Sequence, residues 1–94
     1  MEDYVKELDK AGYGLAVDCE RYKAWRKVVR DRMLEVVVWD ADDDFWVKGN
    51  AELLLNEDGY RRFFSTGTCA SVKEVLEGLN VIEAGIKATT MQGA

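Results

Sequence analysis

Asp40, Asp42 and Asp44 are spaced as the first three oxygen ligands of a calcium-binding loop. Such a loop needs glycine at its sixth position and glutamate at its twelfth, where this chain has Phe45 and Ala51. A calcium loop of that kind is therefore excluded. The run Asp40-Ala-Asp-Asp-Asp44 still allows a looser site for a divalent cation. The simpler reading is a solvated turn in which the Asp side chains bond their own backbone. The turn reading leads, and no cofactor is expected.

Other reactive groups are scarce. With no histidine, every Ser-His, Cys-His and His-metal arrangement is ruled out within this chain. Two cysteines, Cys19 and Cys69, cannot build a structural zinc site. Cys69 stands near an expected helix start, where a thiol pKa is lowered, yet no arginine follows at the distance a phosphate-binding thiol loop requires. Ser71 and Lys73 miss the Ser-x-x-Lys spacing of acyl-transfer sites. The residue types point away from an enzyme.

Charge is the more informative signal. Arg21, Lys23, Arg26, Lys27, Arg30 and Arg32 fall within twelve positions that hold one acid, Asp31, in a chain of net charge −5. Segregated charge speaks of partners rather than of fold. The acidic total argues against a protein that coats nucleic acid, whose pI is usually basic. A local basic face can still bind phosphate, because charges beyond about 8 Å are screened at physiological salt.

Period and punctuation indicate the elements that must carry these residues. Asp3 caps a short helix with Tyr4, Val5, Leu8 and Ala11 on one side, and Gly12 supplies a left-handed stop. From about Leu15 to Met33, apolar residues at 15, 19, 22, 25, 29 and 33 recur at steps of three and four, which predicts a long helix. Asp18 is an alternative cap for it, with Tyr13 to Val17 then extended. On this helix Lys23, Arg26, Lys27 and Arg30 form one stripe, with Arg26 inside the apolar arc and its stem able to cover apolar surface.

Beyond Met33 the period shortens. Leu34–Trp39 and Phe45–Lys48 read as strands around the acidic turn. Gly49-Asn50 is either a hairpin turn or a bulge within one longer strand. Ala51–Leu55 and Tyr60–Ser65 pair through Asn56-Glu-Asp-Gly59, with Gly59 at a positive φ. Ser71-Val-Lys-Glu74 has the form of a capping box, and the helix behind it buries Val72, Val75, Leu76 and Leu79. Ile82 and Ile86 continue that spacing, although with Ala84 and Ala88 they also fit a strand.

The expectation is one α+β domain over residues 1–94, with 89–94 a flexible tail. Its two layers are N-terminal helices, an antiparallel meander of three or four strands, and a C-terminal helix packed on one sheet face. Antiparallel hairpins exclude a doubly wound nucleotide fold. The N-terminus lacks a signal-peptide pattern, the apolar runs are too short to span a bilayer, and cysteine is sparse. A cytoplasmic protein without a membrane partner is expected.

Two functions compete. The first is a non-enzymatic protein–protein module, a regulator, adaptor or inhibitor. It would act through the basic stripe Lys23, Arg26, Lys27 and Arg30 and through the acidic turn Asp40, Asp42, Asp43 and Asp44 with its flanking Trp39 and Trp46. Trp and Arg are the residues most enriched at interface hot spots, and segregated charge steers a partner's approach. The same segregation permits a homodimer. The second is a nucleic-acid-binding accessory protein using the basic stripe.

Overall fold

The structure, a computed structural model, describes residues 3–41, 44–55 and 59–93. Helix α1 (Asp3–Lys10) is followed by β1 (Gly14–Asp18), β2 (Tyr22–Val29), β3 (Arg32–Ala41), β4 (Asp44–Leu55), β5 (Gly59–Cys69) and the long helix α2 (Val72–Gly93). The strands form one antiparallel sheet in chain order, β1-β2-β3-β4-β5. The expected α+β architecture with a meander and a closing helix is present, with five strands in place of three or four and one N-terminal helix in place of several.

The largest correction lies between residues 15 and 33. Where the spacing predicts a helix, the chain forms β1, β2 and the start of β3. In the strand Trp25 and Val29 share one side of β2 with Lys27, while Tyr22 and Val28 stand on the other. Tyr22, Trp25, Val28 and Val29 are β-formers, and the leading positions of the supposed helix stripe, Leu15 and Cys19, are exposed. The β2–β3 turn escapes notice because it contains no glycine. Arg30 itself takes the left-handed φ of 61°.

The remaining punctuation behaves as its chemistry requires. Gly12 and Gly59 adopt φ of 94° and 93°. The amide of Glu74 donates to Ser71 Oγ at 3.1 Å, capping α2. Helix α2 runs through Ile82 and Ile86 to Gly93, which decides helix over strand there. Gly49 and Asn50 lie inside β4, with a register shift between Lys48 and Asn50, so they belong to a bulge. Asn56 to Asp58 of the β4–β5 connection fall outside the described residues.

Both helices cover the same side of the sheet. Tyr4 of α1 meets Trp25 edge-on at 5.9 Å. A Cβ on Gly49 would stand 2.6 Å from Val75 Cγ1 and 3.3 Å from Leu79 Cδ1, so α2 crosses β4 at van der Waals limit. Leu8, Leu34, Val36, Val38, Val47, Val75 and Leu79 are sealed between these layers, and each such side chain contributes about 1.5–3 kcal/mol. Alternation then sends the neighbours of these residues to the opposite side. No helix among the described residues lies over that side.

Candidate functional site: the helix-free sheet face

On the uncovered side stand Tyr22, Ala24, Arg26 and Val28 of β2, Met33, Glu35, Val37 and Trp39 of β3, and Trp46, Lys48, Asn50 and Glu52 of β4. The register builds its aromatic part directly. Tyr22 pairs with Trp39, and Trp39 pairs with Trp46. Tyr22 and Trp39 stack at 6.4 Å between centroids with planes 11° apart, and Trp39 and Trp46 stack at 5.7 Å and 3°. Cross-strand aromatic pairs of this kind stabilise a sheet and stiffen it. All three rings are half-buried, so each keeps surface for a partner.

Below the ladder the same face carries ion pairs. Arg26 Nε donates to Glu35 Oε2 at 3.0 Å, while Asn50 Nδ2 donates to Glu35 Oε1 at 3.2 Å. Arg62 of β5 donates to Glu52 Oε2 at 3.4 Å. Glu35, Asn50 and Glu52 are only 8%, 3% and 6% exposed although no helix covers them. Neighbouring side chains on the sheet shield them. Asn50 Oδ1 and Glu52 Oε1 are buried without a protein partner.

The four expected cations do not make one stripe. Lys23 pairs with Asp18 at 3.2 Å and Arg26 with Glu35. Lys27 points to the helix side, where Nζ donates to Ala11 O at 2.8 Å and Glu83 Oε1 at 3.0 Å and lies 5.6 Å from the Tyr13 ring centroid. It ties the end of α1 to α2 across β2. Burial alone would push the Glu83 carboxyl pKa up, but its hydrogen bonds to Lys27 and Lys87 hold it below the ordinary value. Burial, and then the Glu83 carboxylate, push the Tyr13 hydroxyl upward. Arg30 is exposed at the β2–β3 turn.

The acidic turn divides as well. Trp39 and Trp46 are brought face to face, whereas Asp40 falls on the helix side, paired with Phe45, and its amide donates to Arg21 O at 3.0 Å. Asp44 is exposed, opposite Ala41 at the hairpin end. Asp42 and Asp43 lie outside the described residues. Among the described residues no group of three or more Cys, Asp or Glu side chains converges to hold a metal ion.

Sequence reasoning missed Tyr22, Glu35, Asn50, Glu52 and Arg62, and left Arg21 outside the stripe. Tyr22 was readable only with the turn at Arg30-Asp31 in place, since Tyr22 and Trp39 stand equally far from it. Arg21 and Glu20 border a depression of about 310 Å³ with Cys19, Tyr22 and Trp39 at the Tyr22 end of the ladder. They also border a cleft of about 330 Å³ on the helix side, floored by Tyr4, Val5, Leu15, Trp25 and Val38. No helix among the described residues is long and apolar enough to cross a membrane. No protein-family model, curated protein or solved structure matches this chain.

Proposed function

We propose that this chain is a small non-enzymatic protein-binding module, acting as a regulator, adaptor or inhibitor through the helix-free face of its sheet. The observation that carries the reading is the Tyr22–Trp39–Trp46 ladder standing on a face that no helix covers. Aromatic rings held by stacking lose little entropy when a partner covers them, and Trp and Tyr dominate interface hot spots. Arg26 and Arg62, fixed by carboxylates, extend the face with residues of the same kind. Two cysteines that remain free thiols agree with a cytoplasmic location.

The test joins capture with mapping. Capture from the native extract by wild type should enrich a protein that Trp46→Arg loses and Lys6→Glu, on the outer side of α1, retains. Hydrogen exchange should then show added protection in β3 and β4 with that protein present. Capture that Trp46→Arg leaves intact, or protection confined to the helices, would sink this reading.

Nucleic-acid binding is the second reading, and one observation favours it. Rings on a sheet face beside an exposed arginine, Arg21, are what single-stranded nucleic acid uses for stacking and phosphate contact. Against it, Lys23, Arg26 and Lys27 each pair with an acid. Quenching of tryptophan fluorescence by an oligonucleotide, weakening steeply with salt, would move the assignment to this reading.

A further inference from the structure

We infer that the occupant of the helix-free face is a second copy of this chain, packed face to face about a two-fold axis that runs across the strands. The inference rests on reading that face as protein-binding and gives it a definite partner.

Charge is the first argument. The chain as a whole carries −5, yet among the described residues on this face Arg26, Lys48 and Arg62 are matched in number by Glu35, Asp44 and Glu52. A surface that met a strongly basic partner would be expected to hold the acid excess. This one is balanced, and like approaches like without a charge penalty.

Arrangement is the second. Along β2 and β3 the register places Tyr22 opposite Trp39 at one end and Val28 opposite Met33 at the other. The two ends are roughly 20 Å apart at the rise of a strand. A two-fold axis midway between them, in the plane of contact, exchanges the ends. Tyr22 of each copy then lies over Val28 of the other, and Trp39 over Met33. Such self-complementarity is what an isologous interface requires. It would cover Val28, which is 63% exposed.

Size is the third. Four strands about 4.8 Å apart and about nine residues long present roughly 600 Å² of sheet, the order that one partner contributes to a standard interface of about 800 Å² a side. The surface is also held in shape before contact, by the stacked rings and by the Arg26–Glu35–Asn50 and Arg62–Glu52 bonds. Little ordering remains to oppose association.

Sedimentation equilibrium of the full chain from about 1 to 100 µM tests the inference over the micromolar range of dissociation constants. Wild type should reach twice the 10.7 kDa chain mass. Val28→Glu and Tyr22→Lys should each weaken the dimer at least tenfold, with circular dichroism unchanged because Val28 is exposed and Tyr22 half-buried. Val81→Glu, on an exposed part of α2, should leave the dimer as it is. Mixing the Val28→Glu and Tyr22→Lys chains at low salt should restore a dimer, since the axis sets the new carboxylate against the new ammonium. A wild-type mass of 10.7 kDa throughout would overturn the inference. So would a dimer indifferent to both face variants, or a mixture that stays monomeric. Exchange protection of this face by a different protein, in a chain that sediments as a monomer, would remove the second copy while leaving the protein-binding reading intact.

Discussion

The two faces of the sheet handle polar groups in opposite ways. On the covered face Lys27 works between elements, joining the Ala11 carbonyl to Glu83 of α2. On the open face Arg26, Glu35, Asn50, Glu52 and Arg62 bond across neighbouring strands and reach no other layer. One face therefore uses polar chemistry to lock tertiary structure. The other uses it to hold a surface flat and ready. The cations that stand together in sequence between residues 21 and 32 were divided between these tasks by strand alternation.

Adjacent valines on β3 give the sharpest break of that comparison. Val36 is fully buried against the helices, and Val37 is half-buried on the open side. Val36→Ala should cost about 2.5 kcal/mol from lost transfer energy and a residual cavity. Val37→Ala should cost under about 1 kcal/mol in dilute solution. Urea melts of the two variants measure the ratio. Equal losses would mean that the open face is as sealed as the other. A Val37→Ala loss that grows with protein concentration would show a partner copy sealing it.

Gly49→Ala probes the covered face from the opposite direction, by adding volume. The new methyl would stand 2.6 Å from Val75 Cγ1, with Thr66 and Leu79 also within 3.3 Å. Either α2 lifts or β4 shifts, at a cost of about 2 kcal/mol. The measurement is again the urea midpoint. A neutral outcome would mean that α2 sits more loosely on the sheet than the close approach implies.

Lys27→Met keeps the apolar stem and removes the clamp. The expected loss is about 1–2 kcal/mol, discounted because the ammonium keeps some solvent exposure. Its pH signature separates the clamp from mere packing. The Glu83 pKa is depressed in the folded protein below its ordinary 4.5. Its contribution is therefore complete above that value and drains as pH falls through the folded pKa. Lys27→Met should flatten the acid limb, with Lys87 retaining part of the depression. An acid limb as steep as that of wild type would assign the acid sensitivity to other carboxylates.

Much of this contrast was readable in the chain, and the failures have one origin. Gly12, Ser71, Gly59 and the run from Val72 to Leu79 carry local signals with unambiguous chemistry, and they behave accordingly. The pairing of Trp39 with Trp46 follows from the acidic run between two strands, which closes on the Ala41–Asp44 pair. Residues 15 to 33 misled because β2 carries large apolar residues on both sides, Tyr22 and Val28 on one and Trp25 and Val29 on the other, and together these fall at helical steps. Only the turns at Cys19–Arg21 and Arg30-Asp31 break the tie, and neither contains glycine or proline. Losing those turns cost the parity of β2, and with parity went Tyr22, the role of Lys27, and the separation of the cations into two faces.

Arg30 offers the smallest effect. Val29 pairs with Arg32, so Arg30 and Asp31 form a two-residue hairpin loop. Positive φ at the first loop residue is the signature of a type II′ turn, whose first position glycine favours. A Cβ there costs about 1–2 kcal/mol, and glycine gives back part of the gain through a more flexible unfolded chain. Arg30→Gly should therefore stabilise by about 1 kcal/mol and raise Tm by about 4–8 °C for a domain of this size. The turn closes the Val28–Met33 end of the sheet, where the Asp31 carbonyl accepts a bond from the Leu54 amide. A gain in Tm would mean that the arginine is held at a conformational cost, the pattern found where a side chain serves a partner. A loss would mean that the Arg30 side chain stabilises the fold more than its backbone strains it, and would place Arg30 with Lys27 among the structural cations.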